Sequence, residues 1–239
     1  MNEDRAARIW ASIVGLAHRE GVPISLRQVC LACAEATSTG VAAFLSTSTL
    51  QVGQLVFATD PVGEELVELQ TTSGEGPAVD AAAGFEPVLV PDLADARSRA
   101  RWPGYVPDAL RAGVKAQFSI PLRIGAVRVG ALDLHRPEPG ELAPGPLADA
   151  MICADAALAV ILDSRAGGTG EDGFLGQGAE LHQAAGMVSV QLGVPVGDAM
   201  VRLRAHAYAH GERLGEVARA VVQRRLRFAA NDKSEGEHR

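Results

Sequence analysis

The spacing of apolar residues divides the chain into two regions on either side of a glycine-rich stretch. In residues 10–163, runs of helical period alternate with short apolar runs that have the length of β-strands. After residue 178, apolar residues recur at helical spacing only. The stretch between them, residues 166–178, holds six glycines and little apolar surface, which predicts a linker. We therefore expect two domains.

In the first region, the pattern predicts helices at both ends and a sheet between them. The predicted helices are residues 9–20, 25–36 and 151–162, and the predicted strands are residues 41–46, 54–58, 65–70, 86–90, 116–123 and 128–135. Only residues 124–127, with the turn Ile124-Gly125-Ala126, separate the last two strands, so these should form an antiparallel hairpin. The predicted fold class is α+β, an antiparallel sheet flanked by helices and followed by a small all-α domain.

Residues 179–228 are predicted to form three short helices that pack against one another. Their apolar stripes are Leu181, Ala184, Ala185, Val188 and Leu192; then Ala199, Met200, Leu203 and Ala207; then Leu214, Val217, Ala218, Val221 and Val222. Gly193 is predicted to end the first helix in the left-handed conformation, and Gly211 is predicted to end the second helix. Pro195 prevents continuation of the first helix. Residues 229–239 are predicted to be a polar tail.

Charge also differs between the two regions. Residues 175–228 hold seven arginines against four carboxylates, a net charge of +3, whereas residues 1–165 carry −7. Away from the predicted core lie Arg202, Arg204, His206, Tyr208, Arg213 and Arg219. Guanidinium groups beside imidazole and phenol rings can pair with phosphates and stack on unpaired bases, as in proteins that bind RNA loops. A solvated helix face has the same composition, and a helix-turn-helix that binds duplex DNA is a further alternative.

The run from His182 to Phe228 resembles the ANTAR domain, the RNA-binding module of bacterial transcription antiterminators. The matching segments are HQAAGM (182–187), LGV (192–194), DAMVRLRAHA (198–207) and LGEVARAVV (214–222). The resemblance implies a helical bundle that dimerises and binds paired RNA stem-loops, which prevents an overlapping terminator hairpin from forming. Many members have Lys or Thr in place of Ala185 and Asn in place of Gly211, so contacts made by those side chains would be absent here.

Four segments resemble a GAF domain over roughly residues 10–163. They are GEGPAVDAA (74–82), EPVLVPDLAD (86–95), RWPGY (101–105) and SIPLRIGAVRVGALDLHR (119–136). The resemblance implies a small-molecule sensor with a ligand cavity between the sheet and residues 80–114, in a domain order similar to that of actinobacterial regulators. It implies as candidate lining residues Asp92, Trp102, Tyr105, Phe118 and Ser119. Core packing or a turn is the alternative for each of them.

The sequence predicts no catalytic residue, no metal site and no cofactor. Cys30 and Cys33 form a C-x-x-C pair, which can be redox-active or half of a zinc site. Cys153 is the only other cysteine, and the pair lies on the apolar face of a predicted helix, so we expect core packing and keep a redox enzyme as an alternative. His206 and His210 lack the intervening Glu of a metalloprotease. His135, at the end of a predicted strand, is expected to be a surface residue or a satisfied polar residue rather than a haem ligand.

Residues 1–21 lack the profile of a signal peptide, because charged residues interrupt the apolar ones. A continuous apolar run of about 18 residues, which a membrane helix requires, does not occur. We therefore expect a cytoplasmic regulator without a membrane partner. Its expected partners are RNA stem-loops, a second copy of the chain and a small-molecule effector that neither the residues nor the resemblance names.

Overall fold

The computed structural model describes residues 2–47, 52–166 and 173–229. The chain divides into two compact units, residues 1–171 and 172–239, which we call the body and the tail domain. This boundary falls inside the predicted linker, but helices cover both ends of that segment, up to Ala166 and again from Gly173. Good helix formers between the glycines, such as Leu175 and Gln177, favour this extension. Residues 167–172 and 230–239 lie outside the described residues.

The body is an antiparallel sheet with helices packed against it, which confirms the predicted fold class for this unit. Its elements are α1 (Asn2–Glu20), α2 (Leu26–Thr37), β1 (Gly40–Thr47), β2 (Val52–Ala58), α3 (Pro61–Ser73), α4 (Pro77–Ala83), β3 (Val88–Val90), α5 (Ala96–Arg101), α6 (Val106–Arg111), β4 (Ala116–Ile124), β5 (Val127–Arg136) and α7 (Pro144–Ala166). The strand order is β2-β1-β5-β4-β3, and every neighbouring pair is antiparallel. The β4–β5 hairpin turns at Gly125 and Ala126, as predicted.

The predicted strand at residues 65–70 is wrong, because these residues lie in α3. Asp60 caps this helix, with its side chain accepting a hydrogen bond of 2.8 Å from the Gly63 N–H, and Pro61 occupies the first turn. Leu66, Val67 and Gln70 are buried on one face of it. In this window of six residues the apolar side chains Leu66, Val67 and Leu69 do not alternate with polar ones as in a strand, and their spacing fits one side of a helix. The Asp-Pro cap is a second local signal for a helix.

Each face of the sheet carries a separate part of the core. Ala42, Phe44 and Ala131 pack with residues of α3 and α4 on one face. Side chains alternate between the faces of a strand, and the neighbouring residues Val41, Ala43, Ile120, Leu132 and Leu134 are buried as well. Helices α1, α2 and α7 pack against one another, and α2 and α7 also contact the sheet.

Helix α7 is apolar for its length. Over Pro144–Ser164 its mean hydropathy is 1.7, so by length and composition it could cross a membrane, as could the bent pair α8 and α9 taken together. Its side chains Ala150, Cys153, Ala157 and Ile161 are buried in the body. Asp149 at its start forms ion pairs with Arg5 and Arg8 of α1. These contacts are those of a core helix in a folded domain.

The tail domain consists of α8 (Gly173–Leu192), α9 (Val196–His210) and α10 (Leu214–Val222). Each helix contacts the other two. Gly193 has φ of +64°, which confirms its predicted left-handed conformation. Gly211 ends α9 as predicted, and it also has φ of +64°. The predicted apolar stripes are buried except for Leu192 and Val222, which are half-buried. The segment after α10 is held to α8, because the Phe228 N–H donates to Oε1 of Gln191 over 2.9 Å.

Candidate functional site

The body contains a groove of about 830 Å³ on its surface. It is lined by β3, by α5 and by the loop that joins α4 to β3. Strand β3 is the last strand of the sheet, so one of its long edges has no neighbouring strand. The α5 wall is fixed by its cap, in which Oδ1 of Asp95 accepts a hydrogen bond of 2.6 Å from the Ser98 N–H.

Trp102 forms an aromatic part of the groove wall. Its indole Nε1 donates to Oδ2 of Asp80 over 3.1 Å, and the ring is almost wholly buried. Arg101 forms an ion pair of 2.6 Å with the same carboxylate oxygen, and its guanidinium lies 4.8 Å from the centroid of the indole. The charge of Asp80 is therefore compensated within the wall, which fixes the indole in place.

Beneath the sheet lies a buried polar network, which we call the Asp133 cluster. Its members are Asp133, Gln117, Ser119, Gln70 and Tyr105. Asp133 accepts from the Ser119 hydroxyl (2.5 Å), Gln117 Nε2 (2.7 Å) and Gln70 Nε2 (3.1 Å). The Tyr105 hydroxyl donates to Gln117 Oε1 over 2.7 Å. Gln70 Oε1 accepts from the Ala78 N–H over 2.7 Å, which ties the cluster to α4.

The carboxyl group of Asp133 is held by neutral donors. Burial raises the pKa of Asp133 above its ordinary value of 3.8, although the hydrogen bonds from Ser119, Gln117 and Gln70 and the charge of His135 act in the opposite direction. Burial, and then the charge of Asp133, also raise the pKa of the Tyr105 phenol. The hydrogen bonds of this network fix the positions of its buried side chains. Their formation requires that the Asp133 carboxyl group be removed from water, which is unfavourable.

Other chemistry-bearing side chains of the body are packed into its core. His135 is buried against Gly40 and Gly63, with Nε2 3.1 Å from Oδ1 of Asp60 and with its Nδ1 lacking a hydrogen-bond partner among the described residues. Cys30, Cys33 and Cys153 are all fully buried, as the apolar spacing predicted for the first two. Burial raises the pKa of the Cys30 thiol to about 12, so the reactive thiolate is disfavoured.

On the tail domain, the six predicted RNA-contacting residues differ in exposure. Arg202, Tyr208 and Arg213 are exposed, and Tyr208 exposes 59% of its surface. Arg204 is half-buried, which lowers the pKa of its guanidinium. His206 is half-buried, stacked on His210 at 4.1 Å between ring centroids. Arg219 lies 3.6 Å from Oε2 of Glu180.

The exposed residues follow the faces of two helices. Val201, Arg204 and Tyr208 recur at helical spacing along one side of α9, and Val201 is exposed as well. Arg202 lies about a third of a turn around the helix from Tyr208, and Arg213 occupies the N-cap position of α10, where its side chain forms no capping hydrogen bond. Tyr208 and half-buried Arg204 therefore share one side of α9 with exposed Val201, and Arg202 lies on a neighbouring side.

Comparison with known proteins shows the fold of the body. No protein-family model and no curated relative matches the chain. Among solved structures, it is similar to the GAF domain of an Acinetobacter phosphoenolpyruvate-protein phosphotransferase, with 16% identity, 71% of this chain and 98% of that chain covered, and a TM-score of 0.51. The GAF domain of the Coxiella burnetii phosphotransferase gives 16% identity, 69% and 98% coverage, and a TM-score of 0.51. The body has the GAF fold. At this identity the likeness concerns the fold alone.

The GAF-fold body does not bring the five predicted lining residues into one pocket. Trp102 lines the groove, and half-buried Asp92 lies next to its wall residue Pro91, with Oδ1 accepting from the Ala94 N–H over 2.8 Å. Tyr105 and Ser119 belong to the Asp133 cluster. Phe118 is also buried, on the face of the sheet opposite to Ser119.

Sequence reasoning missed other residues of the groove, namely Phe85, Leu89, Arg97 and Arg101. Phe85 and Leu89 are large apolar residues that remain about half exposed. Exposure of this kind depends on which strand lies at the edge of the sheet, and strand order is not encoded in local periodicity.

Proposed function

We propose that the protein is a cytoplasmic transcription antitermination regulator. In this proposal the tail domain is an ANTAR domain that binds RNA stem-loops, and the GAF-fold body senses a small molecule or mediates homodimerisation. The observation that carries the proposal is the exposed set Arg202, Tyr208 and Arg213 on a domain of positive charge. The resemblance of residues 182–228 to ANTAR domains supports the same assignment.

The three exposed residues suit an RNA loop because they combine charge with an accessible ring. Within the described part of the chain, Arg202 and Arg213 form no ion pair, so their guanidinium groups can meet phosphates. Tyr208 offers a face on which an unpaired base can stack. Arg219, paired with Glu180, and half-buried Arg204 and His206 are secondary candidates.

Antitermination would follow from competition between two RNA structures. A dimer presents two tail domains, so the second stem-loop is bound at a high effective concentration and avidity rises without a new type of contact. A transcript held in this arrangement cannot form an overlapping terminator hairpin at the same time. A ligand of the body changes this outcome only if it binds one arrangement of the dimer more tightly than another.

The proposal does not include an enzymatic activity. A redox enzyme based on Cys30 and Cys33 would need an accessible thiolate, and both thiols are buried with a raised pKa. We expect mass spectrometry of the peroxide-treated protein to show no thiol-dependent turnover. Catalytic consumption of peroxide that depends on Cys30 and Cys33 would contradict this part of the proposal.

The RNA-binding surface is tested with two double variants of the full chain. Arg202→Gln/Arg213→Gln removes two exposed cations of the tail domain that form no ion pair among the described residues, and Arg19→Gln/Arg111→Gln removes two exposed cations of the body. We expect the first to weaken binding of a stem-loop RNA about tenfold or more and to lower the slope of log K against log salt by roughly 1 to 2, as loss of phosphate contacts requires. We expect the control to bind within about twofold of the wild type. Equal affinities for both variants would contradict the assigned surface.

A further inference from the structure

Two arginines face each other across the β4–β5 hairpin and contact the same aromatic ring. Arg123 and Arg128 are cross-strand partners, and their Cζ atoms lie 5.4 Å and 5.1 Å from the centroid of the Phe85 ring. Both arginines are exposed, and Phe85 exposes half of its surface. Like charges directly opposite each other destabilise a strand pair. The cation–π contacts offset part of this cost, but they supply no negative charge.

In the described part of the body, no carboxylate is paired with either of these arginines. Residues 109–132 contain four cations and no carboxylate. Among the residues that the structure describes, neither Arg123 nor Arg128 forms an ion pair. One N–H of Arg123 donates to the Gly125 carbonyl over 3.3 Å. Stacking occupies the flat face of a guanidinium and leaves its N–H edge available for two parallel hydrogen bonds to a carboxylate, phosphate or sulfonate.

Phe85 connects this pair of arginines to the groove, because Phe85 itself lines the groove wall. The groove volume of about 830 Å³ lies in the range of small-molecule pockets. Within the groove, Asp80 is paired with Arg101, and Asp95 caps α5. Glu86 is the remaining acidic lining residue, and Arg97 is a further cation of the lining. With the arginine pair at Phe85, the cations at this end of the groove outnumber the carboxylates that are left. Leu89, about half exposed, adds apolar surface.

We propose that this end of the groove binds the anionic group of a small organic anion, whose apolar part packs against Phe85 and Leu89. The inference rests on the sensing role proposed for the body and adds to it the chemical class of the ligand. A phosphate of RNA would satisfy the same guanidinium groups. The continuity of the pair with a groove of small-molecule size favours the small anion.

The test uses two fluorescent probes that differ in charge, anilinonaphthalene sulfonate and the uncharged phenylnaphthylamine. Both are titrated into the full-length wild type and into Arg123→Gln/Arg128→Gln. A third protein, Leu89→Trp, narrows the groove without removing charge. The matched control is Arg19→Gln/Arg111→Gln, which changes the net charge equally at exposed sites elsewhere on the body. Circular dichroism of each variant confirms that all are folded.

We expect the hairpin variant to bind the sulfonate probe about tenfold more weakly, because charge-assisted hydrogen bonds are lost. Its affinity for the neutral probe should stay within about twofold of the wild type. Leu89→Trp should weaken binding of both probes, and the control should change neither.

Three results would overturn the inference, and they separate it from the proposed sensing role. If only Leu89→Trp weakens the sulfonate probe, the groove binds ligands but the arginine pair does not select anions. If neither variant changes the binding of either probe, the groove is not a ligand site and the sensing role assigned to it fails as well. If the hairpin variant loses affinity for stem-loop RNA and not for the sulfonate probe, the pair is a nucleic-acid contact.

Discussion

The two units of this chain differ in where their polar side chains lie. The body buries a polar network in its interior, whereas the tail domain carries its polar side chains on the surface. In the body, the Asp133 cluster is enclosed, and its donors and acceptors are satisfied by one another. In the tail domain, the core is apolar and composed largely of alanine, valine and leucine, while the arginines and Tyr208 lie outside it. In the body the groove gives access to aromatic and charged side chains of the wall, whereas in the tail domain the charged side chains lie on an open helical surface.

This difference indicates what kind of partner each unit can bind. A bounded groove beside an ordered interior fits a small molecule, because such ligands are mostly enclosed by the sites that bind them. Exposed guanidinium groups on short helices fit a large polyanion, which brings many phosphates to an open surface. Each of the following variants changes a residue of the body or of the tail domain.

The largest effect is expected from Leu203→Ala in the core of the tail domain. Leu203 is fully buried on α9, and its truncation should cost about 2 to 5 kcal/mol, a large loss for a small three-helix unit. Hydrogen exchange should show the tail domain unfolding while the body stays protected. The control Val201→Ala, exposed on the same helix, should change stability by less than about 0.5 kcal/mol. Simultaneous loss of protection in the body would show that the units are not separate.

A smaller effect is expected from Asp133→Asn in the body. An amide keeps only one of the two acceptor oxygens, so either the two glutamine NH2 groups or the Ser119 hydroxyl lose their acceptor. The variant should therefore lose about 2 kcal/mol by leaving a buried donor unpaired. The measurement is chemical denaturation of the body at several pH values.

The pH dependence of Asp133→Asn has a defined sign. In the wild type, the folded-state pKa of Asp133 is raised above 3.8, so the folded protein retains a proton that the unfolded chain releases as the pH rises past this value. That contribution to stability is complete below pH 3.8 and is lost as the pH rises through the folded-state pKa. The asparagine variant lacks it, so its deficit should narrow toward neutral pH. A deficit that widens with pH would contradict a raised pKa.

Next in size is the effect of Tyr208 on RNA binding. Tyr208→Ala should weaken binding of a stem-loop RNA by about 1 to 3 kcal/mol if one base stacks on the ring. Tyr208→Phe keeps the ring and should restore most of the affinity. Fluorescence anisotropy with a labelled RNA measures both. Equal losses in the two variants would indicate that the hydroxyl acts rather than the ring.

The smallest effect is expected at the surface of the tail domain. Arg219 and Glu180 are about half exposed and 3.6 Å apart, so Arg219→Gln should change the free energy of unfolding by less than about 0.5 kcal/mol. In the body, Arg5→Gln should cost more, because its partner Asp149 is almost fully buried and is 2.8 Å away. Thermal unfolding of both variants makes the comparison. Equal losses of stability in the two variants would show that burial of the partner carboxylate does not make the Arg5–Asp149 pair the stronger one.

The sequence predicted the tail domain more completely than the body, for a physical reason. Helical spacing and the two glycine ends are local signals, and they located the core residues of α9 and α10 correctly. In the body, the hairpin β4–β5 was predicted for the same reason, since its turn is local. The interior of the body depends on contacts between distant residues, such as Gln70 with Asp133, which no local pattern encodes.

The candidate sites show the same limit. Trp102 was predicted to line a pocket and lines the groove, whereas Tyr105 and Ser119 form part of a closed polar network. The cationic pair at Phe85 joins a loop to a hairpin nearly forty residues later in the sequence. The absence of carboxylates from residues 109–132 is the one signal in the sequence that could have indicated it.

The central claim is that the exposed surface of the tail domain binds folded RNA. The most direct test is a competition experiment in which the full chain, at low ionic strength, is offered a stem-loop RNA and a duplex DNA of equal length. The account predicts that the RNA displaces the DNA, and that Arg202→Gln/Arg213→Gln removes this preference. Preferential binding of the duplex, or no binding of any stem-loop that overlaps a terminator, would contradict it.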